Sequence, residues 1–306
     1  MKIDQLKEAL SVVREAANED GVLTLESGNP GPTVSVVALT HGNEVSGIVT
    51  AQRVLDALKS GELKLRSGRL QIVLANYEIL QEANDFDDLV RFRFEDMNRI
   101  WSKTGNGEHE YLAMERIRPY IAQSDHVIDL HSTTQKSTSI GILMGYDDAR
   151  IDAMRRFLDT PFVLLDAAKF LNGTSLVDFH QNARAGGLSL VIEAGQHFDF
   201  STIETNVWNC INLLRHLAVL EGDSEDCATS PKILKVYEAG IARSAGKVIT
   251  WAYSKAPAGF DFVKKGTHIC DLDGEAVVVD RDCYLVMQQV EALHAGKEMY
   301  YLAAEV

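Results

Sequence analysis

Cysteine is scarce in this sequence, and no cysteine has another close to it. The four are Cys210, Cys227, Cys270 and Cys283. Without a CxxC pair, the sequence predicts neither a disulfide framework nor a zinc site made of thiolates. Any metal ion bound by this chain must therefore use histidine and carboxylate ligands.

Long apolar runs and an excess of basic residues are also missing. No apolar stretch approaches the roughly 20 residues that cross a bilayer, and the first residues do not resemble a secretory signal. We therefore expect a cytoplasmic protein with no membrane partner. The 30 basic and 44 acidic residues give a net charge of −14. This charge argues against nucleic-acid binding, which needs a clustered basic surface, but a cleft lined by arginines could still bind a small anion.

Predicted strands and helices alternate along the first 220 residues. We predict strands at 22–25, 34–39, 70–74, 126–130, 140–144 and 188–192, and helices at 1–21, 47–58, 109–122, 148–158 and 202–220. Such an alternation indicates a mainly parallel α/β sheet flanked by helices. Ligands of these sheets bind at the carboxyl ends of the strands.

A polar stretch at residues 221–231 interrupts this alternation. Short β-rich runs follow it at 233–237, 247–251, 267–270, 276–279 and 284–288, separated by turns that contain glycine. We predict a boundary in the polar stretch. A larger domain, residues 1–224, would carry the catalytic site, and residues 225–306 would form a small all-β domain.

Two histidines and one glutamate follow predicted strands in a pattern typical of a zinc site. His41 and Glu44 come just after the second strand, and His131 ends the fourth. An imidazole and a carboxylate three residues apart can bind one ion, and a distant histidine can supply the third ligand. Three protein ligands leave a coordination position open for water, which indicates catalysis rather than a structural role.

With these residues in place, the chain resembles the succinylglutamate desuccinylase and aspartoacylase family of zinc carboxypeptidase-like hydrolases. The resemblance covers most of the first 220 residues in order and spacing. It depends on four motifs: THGNE at 40–44, RFRFEDMNR at 91–99, DLHSTT at 129–134 and IEAG at 192–195. Met97 and Trp101 differ from the residues usual in the family, but both exchanges are apolar.

The resemblance implies roles for eight residues. His41, Glu44 and His131 would bind one Zn²⁺ per chain, and Glu193 would be the catalytic carboxylate. Arg91 would polarise the scissile carbonyl. Asn98 and Arg99 would bind a substrate carboxylate, and Arg184 would be a second carboxylate-binding arginine. The chemistry is suitable, because a guanidinium matches a planar carboxylate and stabilises a developing oxyanion.

Several of these residues have simpler alternatives. Residues 91–99 could be an amphipathic edge strand with a solvated basic face, and Arg184 could be an exposed loop arginine. Asp129 shares a strand face with His131, so it could orient that imidazole or contact only solvent. His197 has no motif around it, but it follows Glu193 closely enough to lie near the cleft.

The C-terminal region resembles a lipoyl-like β-sandwich, as it does in the family. Residues 284–289 would form the central hairpin, and they contain no lysine that could be modified. A covalent carrier function is therefore not expected. In the family this domain covers the active-site mouth and can contribute a tyrosine, for which Tyr284, Tyr300 and Tyr301 are equal candidates.

Together, the motifs predict a zinc-dependent amidohydrolase that removes an acyl group from a small anionic N-acyl amino acid. A zinc carboxypeptidase acting on a small peptide is the nearest alternative, since it needs the same metal, base and arginine. A non-catalytic zinc-binding or ligand-binding protein on the same scaffold is another. The residues do not determine the acyl group, the amino acid or the oligomeric state, and a homo-oligomer is compatible with them.

Overall fold

The computed structural model describes residues 1–105, 107–252 and 259–306. Its strands are β1 (Val22–Glu26), β2 (Thr33–Ala38), β3 (Arg69–Leu74), β4 (His126–Thr133), β5 (Ile140–Met144), β6 (Phe162–Leu165), β7 (Ser189–Gln196), β8 (Lys232–Ile241), β9 (Ile249–Trp251), β10 (Phe260–Val263), β11 (His268–Leu272), β12 (Glu275–Val278), β13 (Cys283–Val286) and β14 (Glu298–Glu305). Its helices are α1 (Ile3–Arg14), α2 (Ser46–Ser60), α3 (Tyr77–Glu82), α4 (His109–Gln123), α5 (Asp148–Phe157), α6 (Leu176–Ala183) and α7 (Ile203–His216).

Eleven of the described strands form one sheet in the order β1-β3-β2-β4-β7-β5-β6-β8-β14-β13-β10. The neighbours β3, β2, β4 and β7 are parallel, as are β5, β6 and β8. Antiparallel pairing joins β1 to β3 and β5 to β7, and it also joins the last four strands. The prediction of a mixed, mainly parallel sheet with extra C-terminal strands is therefore confirmed.

Side chains of the central strands alternate between two apolar clusters, one on each face of the sheet. Val127 and Val191 pack in the cluster that includes α4 and α6. Ile128 and Ile192 pack in the cluster that includes α5 and α7. Because alternate residues of a strand share a face, His131 and Glu193 project on the side of α4 and α6. Helix α1 packs on α2 and α3 in a third cluster.

Sequence patterns predicted the long elements and missed short ones. The predicted strands and helices of the first 220 residues are all present near their expected positions, whereas α3, α6, β6, β10 and β14 were not predicted. Four-residue strands such as β6 carry too little periodicity to be recognised. Residues 91–96 have no regular structure and 97–99 form a short 3-10 helix, so the edge-strand alternative for this segment was wrong.

The C-terminal residues continue the large sheet. Strand β8 pairs in parallel with β6, and it places Ile233 in one central apolar cluster and Leu234 in the other. A second sheet, β12-β11-β9, covers this extension and encloses a separate apolar cluster that includes Ile269, Leu285 and Leu302. None of the helices in the described ranges has the length and apolar character needed to span a bilayer.

A fragment ending at residue 224 tests the domain division. We expect it to aggregate, because loss of β8 leaves β6 as an open edge and uncovers both central apolar clusters. Size-exclusion chromatography and urea unfolding of the fragment and of the full chain would measure this. A monomeric fragment with a cooperative unfolding transition would show instead that residues 1–224 fold independently.

Candidate active site

A sharp turn after β2 places His41 and Glu44 at the carboxyl end of this strand. Leu39, the residue after β2, has a φ of 62°, a left-handed conformation that is strained for a side chain of this size. The Glu44 N–H donates to the His41 carbonyl at 3.1 Å, just before α2 begins. Strand β4 is parallel to β2 and lies beside it, so His131 near the carboxyl end of β4 lies close to His41 and Glu44.

The side chains of His41, Glu44 and His131 form a buried cluster suited to a metal ion. Their candidate ligand atoms all lie within 4.8 Å of one another. One Glu44 oxygen is 2.9 Å from His41 Nδ1, and the other is 2.7 Å from His131 Nδ1. The His41 Nδ1 contact is short but lacks hydrogen-bond geometry, which leaves this buried nitrogen without a donor or acceptor partner among the described residues. Two imidazoles and one carboxylate fit zinc.

Two aspartates hold the histidines from behind. Asp96 Oδ1 is 2.9 Å from His41 Nε2, and Asp129 Oδ2 is 2.7 Å from His131 Nε2. A carboxylate oxygen beside each Nε2 can accept its proton, which directs each Nδ1 at the shared centre. At His41 the Arg91 Nη2 donor also lies 2.8 Å from the same Nε2. Thr40 donates to the other oxygen of Asp129 at 2.8 Å. Asp129 thus makes the contact with His131 that strand alternation suggested.

Neighbouring charges in this cluster shift the pKa values of Glu44 and His131. Burial would raise the pKa of Glu44, but His41 and His131 outweigh it and hold that pKa well below its usual value. Burial would lower the pKa of His131, but Asp129 and Glu44 raise it well above the ordinary histidine value. These directions favour a protonated His131 beside an ionised Glu44. A cation that binds there must displace this proton.

Glu193 lies on β7 directly beside His131. Its side chain is buried, and one carboxylate oxygen has no hydrogen-bond partner among the described residues. Burial, reinforced by the charge of Glu44, raises the pKa of Glu193 to about 8. A buried, unpaired carboxyl group with a pKa near neutrality is suited to proton transfer.

The irregular segment 91–99 brings Arg91 over this cluster. Arg91 Nη1 donates to Glu44 at 2.7 Å, and Nη2 is 3.3 Å from Asp96. Buried Glu110 on α4 holds the segment, because its carboxylate accepts from the backbone N–H of Arg93 at 2.7 Å and of Phe94 at 3.1 Å. Glu110 has no motif around it, and only the folded chain reveals this role.

Asn98 and Arg99 lie in the same cavity but are already engaged. The Asn98 side-chain carbonyl accepts from the Leu176 N–H at 2.9 Å, and its amide nitrogen is 3.3 Å from His131 Nε2. Arg99 donates to the Asn98 backbone carbonyl at 2.9 Å and to Glu298 at 3.1 Å. Glu298 belongs to β14, so a carboxylate from the C-terminal region contacts the arginine expected to bind substrate.

Arg184 does not reach the site, which corrects the expectation that it binds a substrate carboxylate. Its side chain is exposed and lies 3.5 Å from the Gln123 carbonyl and 3.9 Å from Asp125. Those residues precede β4, whereas His131 is near its end. Six residues of strand span about 20 Å, so Arg184 lies near the amino end of β4, far from His131. The loose sequence spacing could not show at which end of the strands Arg184 lies.

Lys297 and Tyr301 are C-terminal residues that line the site. Burial and the charge of Arg91 lower the pKa of Lys297 to about 8. Among the three candidate tyrosines, Tyr301 lines this cavity, whereas Tyr300 packs on Trp251 and Tyr284 accepts a hydrogen bond from Lys232. Lys297 has no recognisable motif and was missed by the sequence analysis.

Two cavities meet at Arg91 and Glu193. One, of about 120 Å³, extends from the histidines past Asn98 and Arg99 to an apolar end. The other, of about 280 Å³, is lined mainly by polar residues such as Ser132, Thr134 and Gln289. His197 lies nearby, with Nδ1 2.9 Å from the Ser132 hydroxyl, as expected from its position after Glu193. A substrate bound across Glu193 could place one half in each cavity.

Asp129→Asn should weaken metal binding by about 10- to 100-fold, because the amide no longer fixes the His131 tautomer. Zinc competition with a chromophoric chelator would measure the affinity. The control is Asp152→Asn, which changes an exposed aspartate on α5. Wild-type affinity should also fall as the pH is lowered, since protons then compete for His131 and Glu44. An unchanged affinity in Asp129→Asn would contradict the orienting role.

Comparisons with known proteins agree with this architecture. The family model described as "Succinylglutamate desuccinylase/Aspartoacylase catalytic domain" matches residues 30–209. The succinylglutamate desuccinylase of Vibrio cholerae aligns over 93% of this chain and 85% of its own, with a TM-score of 0.75 and 14% identity. The ectoine utilization protein EutE (DoeB) of Ruegeria pomeroyi aligns over 92% and 87%, with a TM-score of 0.67 and 16% identity.

The family model carries more weight than the individual structures do. At such low identities, the solved structures show a common fold alone. No curated protein matches the chain in sequence. The family model, however, covers more than half of the 306 residues and includes every residue of the buried cluster. The chain therefore belongs to the succinylglutamate desuccinylase/aspartoacylase family.

Proposed function

We propose that this protein is a zinc-dependent hydrolase that cleaves the amide bond of N-acyl amino acids and releases a carboxylate and a free amine. The observation that carries the proposal is the unpaired Glu193 carboxyl beside the buried His41, Glu44 and His131 cluster. Family membership supports the same reaction class.

In this proposal His41, Glu44 and His131 hold one zinc ion per chain. The fit rests on the nitrogen and oxygen donor set, on the orphaned His41 Nδ1 and on the aspartates that orient both rings. A bound zinc ion lowers the pKa of water to about 7 and polarises a carbonyl. The four cysteines are distant from this cluster in sequence and none contributes to it.

Glu193 takes a proton from the attacking water and delivers it to the leaving amine. The group must be ionised to accept the proton and must keep it long enough to return it, so a pKa near the working pH is favourable. Burial beside Glu44 produces such a raised pKa. A bound cation would lower it again, which favours the ionised, proton-accepting form.

Arg91 stabilises the negative charge that develops on the scissile carbonyl oxygen. Its guanidinium lies over the cluster and lines both cavities, so it can reach a group bound across Glu193. Interactions of this kind are worth about 3 to 4 kcal/mol in the transition state. Arg99 binds a substrate carboxylate, and the backbone carbonyl of Asn98 accepts a hydrogen bond that holds the Arg99 side chain.

The C-terminal region favours a small substrate over a long peptide. Lys297, Glu298 and Tyr301 close one side of the cavity next to the histidines. A peptide cleaved in its interior would need an open groove on both sides of the scissile bond, whereas a carboxypeptidase substrate needs one on a single side. The alternative of a non-catalytic binding protein would leave the buried, unpaired Glu193 carboxyl without a purpose, since such a group is costly to bury.

A substrate panel tests this function directly. Zinc-loaded protein should release amine from N-acetyl or N-succinyl amino acids and leave dipeptides and tripeptides intact. The amine can be measured with a fluorogenic reagent, and protein treated with a chelator serves as the control. Hydrolysis of peptides alone would establish the carboxypeptidase alternative, and no turnover on either class would support the binding protein.

Glu193→Gln should retain zinc and lose turnover by about 100-fold or more, because the amide preserves shape but accepts no proton. Metal analysis and steady-state kinetics on one N-acyl amino acid would measure both properties. Glu204→Gln, an exposed change on α7, is the matched control. Near-normal turnover in Glu193→Gln would assign the proton transfer to another residue.

Arg99→Lys should raise KM more than it lowers kcat, since lysine keeps the charge but loses the bidentate contact with a carboxylate. Arg91→Lys should act mainly on kcat, because the contact with the carbonyl oxygen strengthens as the transition state forms. Kinetics of both variants on one substrate would separate the roles. Equal changes in KM with kcat untouched would contradict the role of Arg91 at the carbonyl.

A further inference from the structure

The cavity next to the histidines has an apolar end that the proposed reaction does not use. We propose that this end receives the apolar side chain of the amino-acid half of the substrate, so that N-acyl derivatives of leucine-sized amino acids are preferred over those of aspartate or glutamate. The inference rests on the proposed function and adds the class of substrate.

The floor of this end is made by neighbouring strands of opposite direction. Val191 lies two residues before Glu193, on the same face of β7, and it pairs with Ile142 on β5. Met144 follows on that face of β5. All three side chains line the cavity. The cavity therefore continues from the catalytic carboxyl over an apolar stretch of sheet.

The walls are also apolar. Val177 on α6, Ala167, Ala168 and Leu171 also line the cavity, with Ser175 as the polar lining residue of this segment. The charged residues that line the cavity fall into two groups. His41, Arg91, His131 and Glu193 surround the candidate metal centre, and Arg99, Lys297 and Glu298 form the second group.

Glu298 offsets part of the positive charge of that second group. Glu298 accepts from Arg99 at 3.1 Å, lies 3.7 Å from Lys297 and accepts from the Asn172 N–H at 3.3 Å. Arg184, the expected partner for a second carboxylate, lies near the amino end of β4, far from the cavity. A substrate with an acidic side chain would therefore bury that charge against valine, isoleucine and methionine, which is strongly unfavourable.

Size agrees with a medium side chain. The cavity volume is about 120 Å³. This volume includes the part of the cavity beside His41, His131 and Glu193, and an apolar cavity of about 150 Å³ binds benzene, so the apolar end has room for a side chain no larger than that of leucine or methionine. Because Asn98 and Arg99 line this same cavity, the carboxylate and the apolar group belong to one half of the substrate. A carboxylate next to an apolar side chain describes an apolar α-amino acid.

The main test compares substrates on the zinc-loaded full chain. We expect kcat/KM for N-acetyl-leucine and N-acetyl-methionine to exceed the values for N-acetylaspartate and N-succinylglutamate by about 100-fold or more. N-isovaleryl-aspartate exchanges the apolar and acidic halves and should be poor. A preference for any of the three acidic substrates would overturn the inference.

Two variants and a control locate the binding site. Val191→Thr keeps the shape and adds a hydroxyl, and it should raise KM for N-acetyl-leucine by about tenfold. Val37→Thr makes the same exchange in the same apolar cluster away from the cavity, and it should leave KM unchanged. Ile142→Val is a milder change that should shift preference toward N-acetyl-phenylalanine. Equal KM values in Val191→Thr and Val37→Thr, with no shift in Ile142→Val, would place the side chain elsewhere.

A binding measurement separates this inference from the proposed function. Isothermal titration calorimetry with free leucine and free aspartate reports on the cavity without any hydrolysis. Leucine binding without aspartate binding would support the apolar assignment even if no N-acyl amino acid were cleaved, in which case the proposed reaction alone would fail. Cleavage of acidic substrates together with aspartate binding would support the proposed reaction and contradict the apolar assignment.

Discussion

The Glu44 carboxylate, buried between His41 and His131, is the constraint on which the rest of the site depends. Removing an ionised carboxylate from water costs several kcal/mol unless charges and hydrogen bonds compensate for it. Here both imidazoles, the Arg91 guanidinium and the Ser132 N–H at 3.1 Å all contact it. These groups come from the ends of two neighbouring strands and from an irregular segment. The central sheet must therefore be in register for the cluster to be stable.

Around the cluster of His41, Glu44 and His131, acidic and basic side chains contact one another in turn. Asp96 and Asp129 contact the histidines, and His41, followed by Arg91 and Arg99, holds the pKa of Asp96 well below its usual value against the effect of burial. Such networks orient ligands because each member has a partner on more than one side. Glu193 is the exception, with an oxygen that has no partner in the described part of the chain. The contrast between the paired carboxylates and this one supports the proton-transfer role proposed for Glu193.

The two regions of the chain share this site. Strand β8 continues the central sheet, and Glu298 at the start of β14 contacts Arg99 from the family motif. This ion pair is largely buried, so loss of either partner would leave an uncompensated charge. The same C-terminal residues close the cavity and partly neutralise its cations. In the proposed function, catalytic chemistry would depend on residues 30–209 and substrate choice also on the C-terminal strands.

The sequence by itself determined the parts of this protein that depend on local pattern. Alternating strands and helices predicted the sheet, and strand ends predicted that His41, Glu44, His131 and Glu193 lie at one edge. Parallel strands align their carboxyl ends, so sequence position was enough. Tertiary structure alone decided the reversal of β5, the exclusion of Arg184 and the arrival of Lys297 and Glu298. These depend on pairing between residues far apart in the chain, for which side-chain periodicity carries no information.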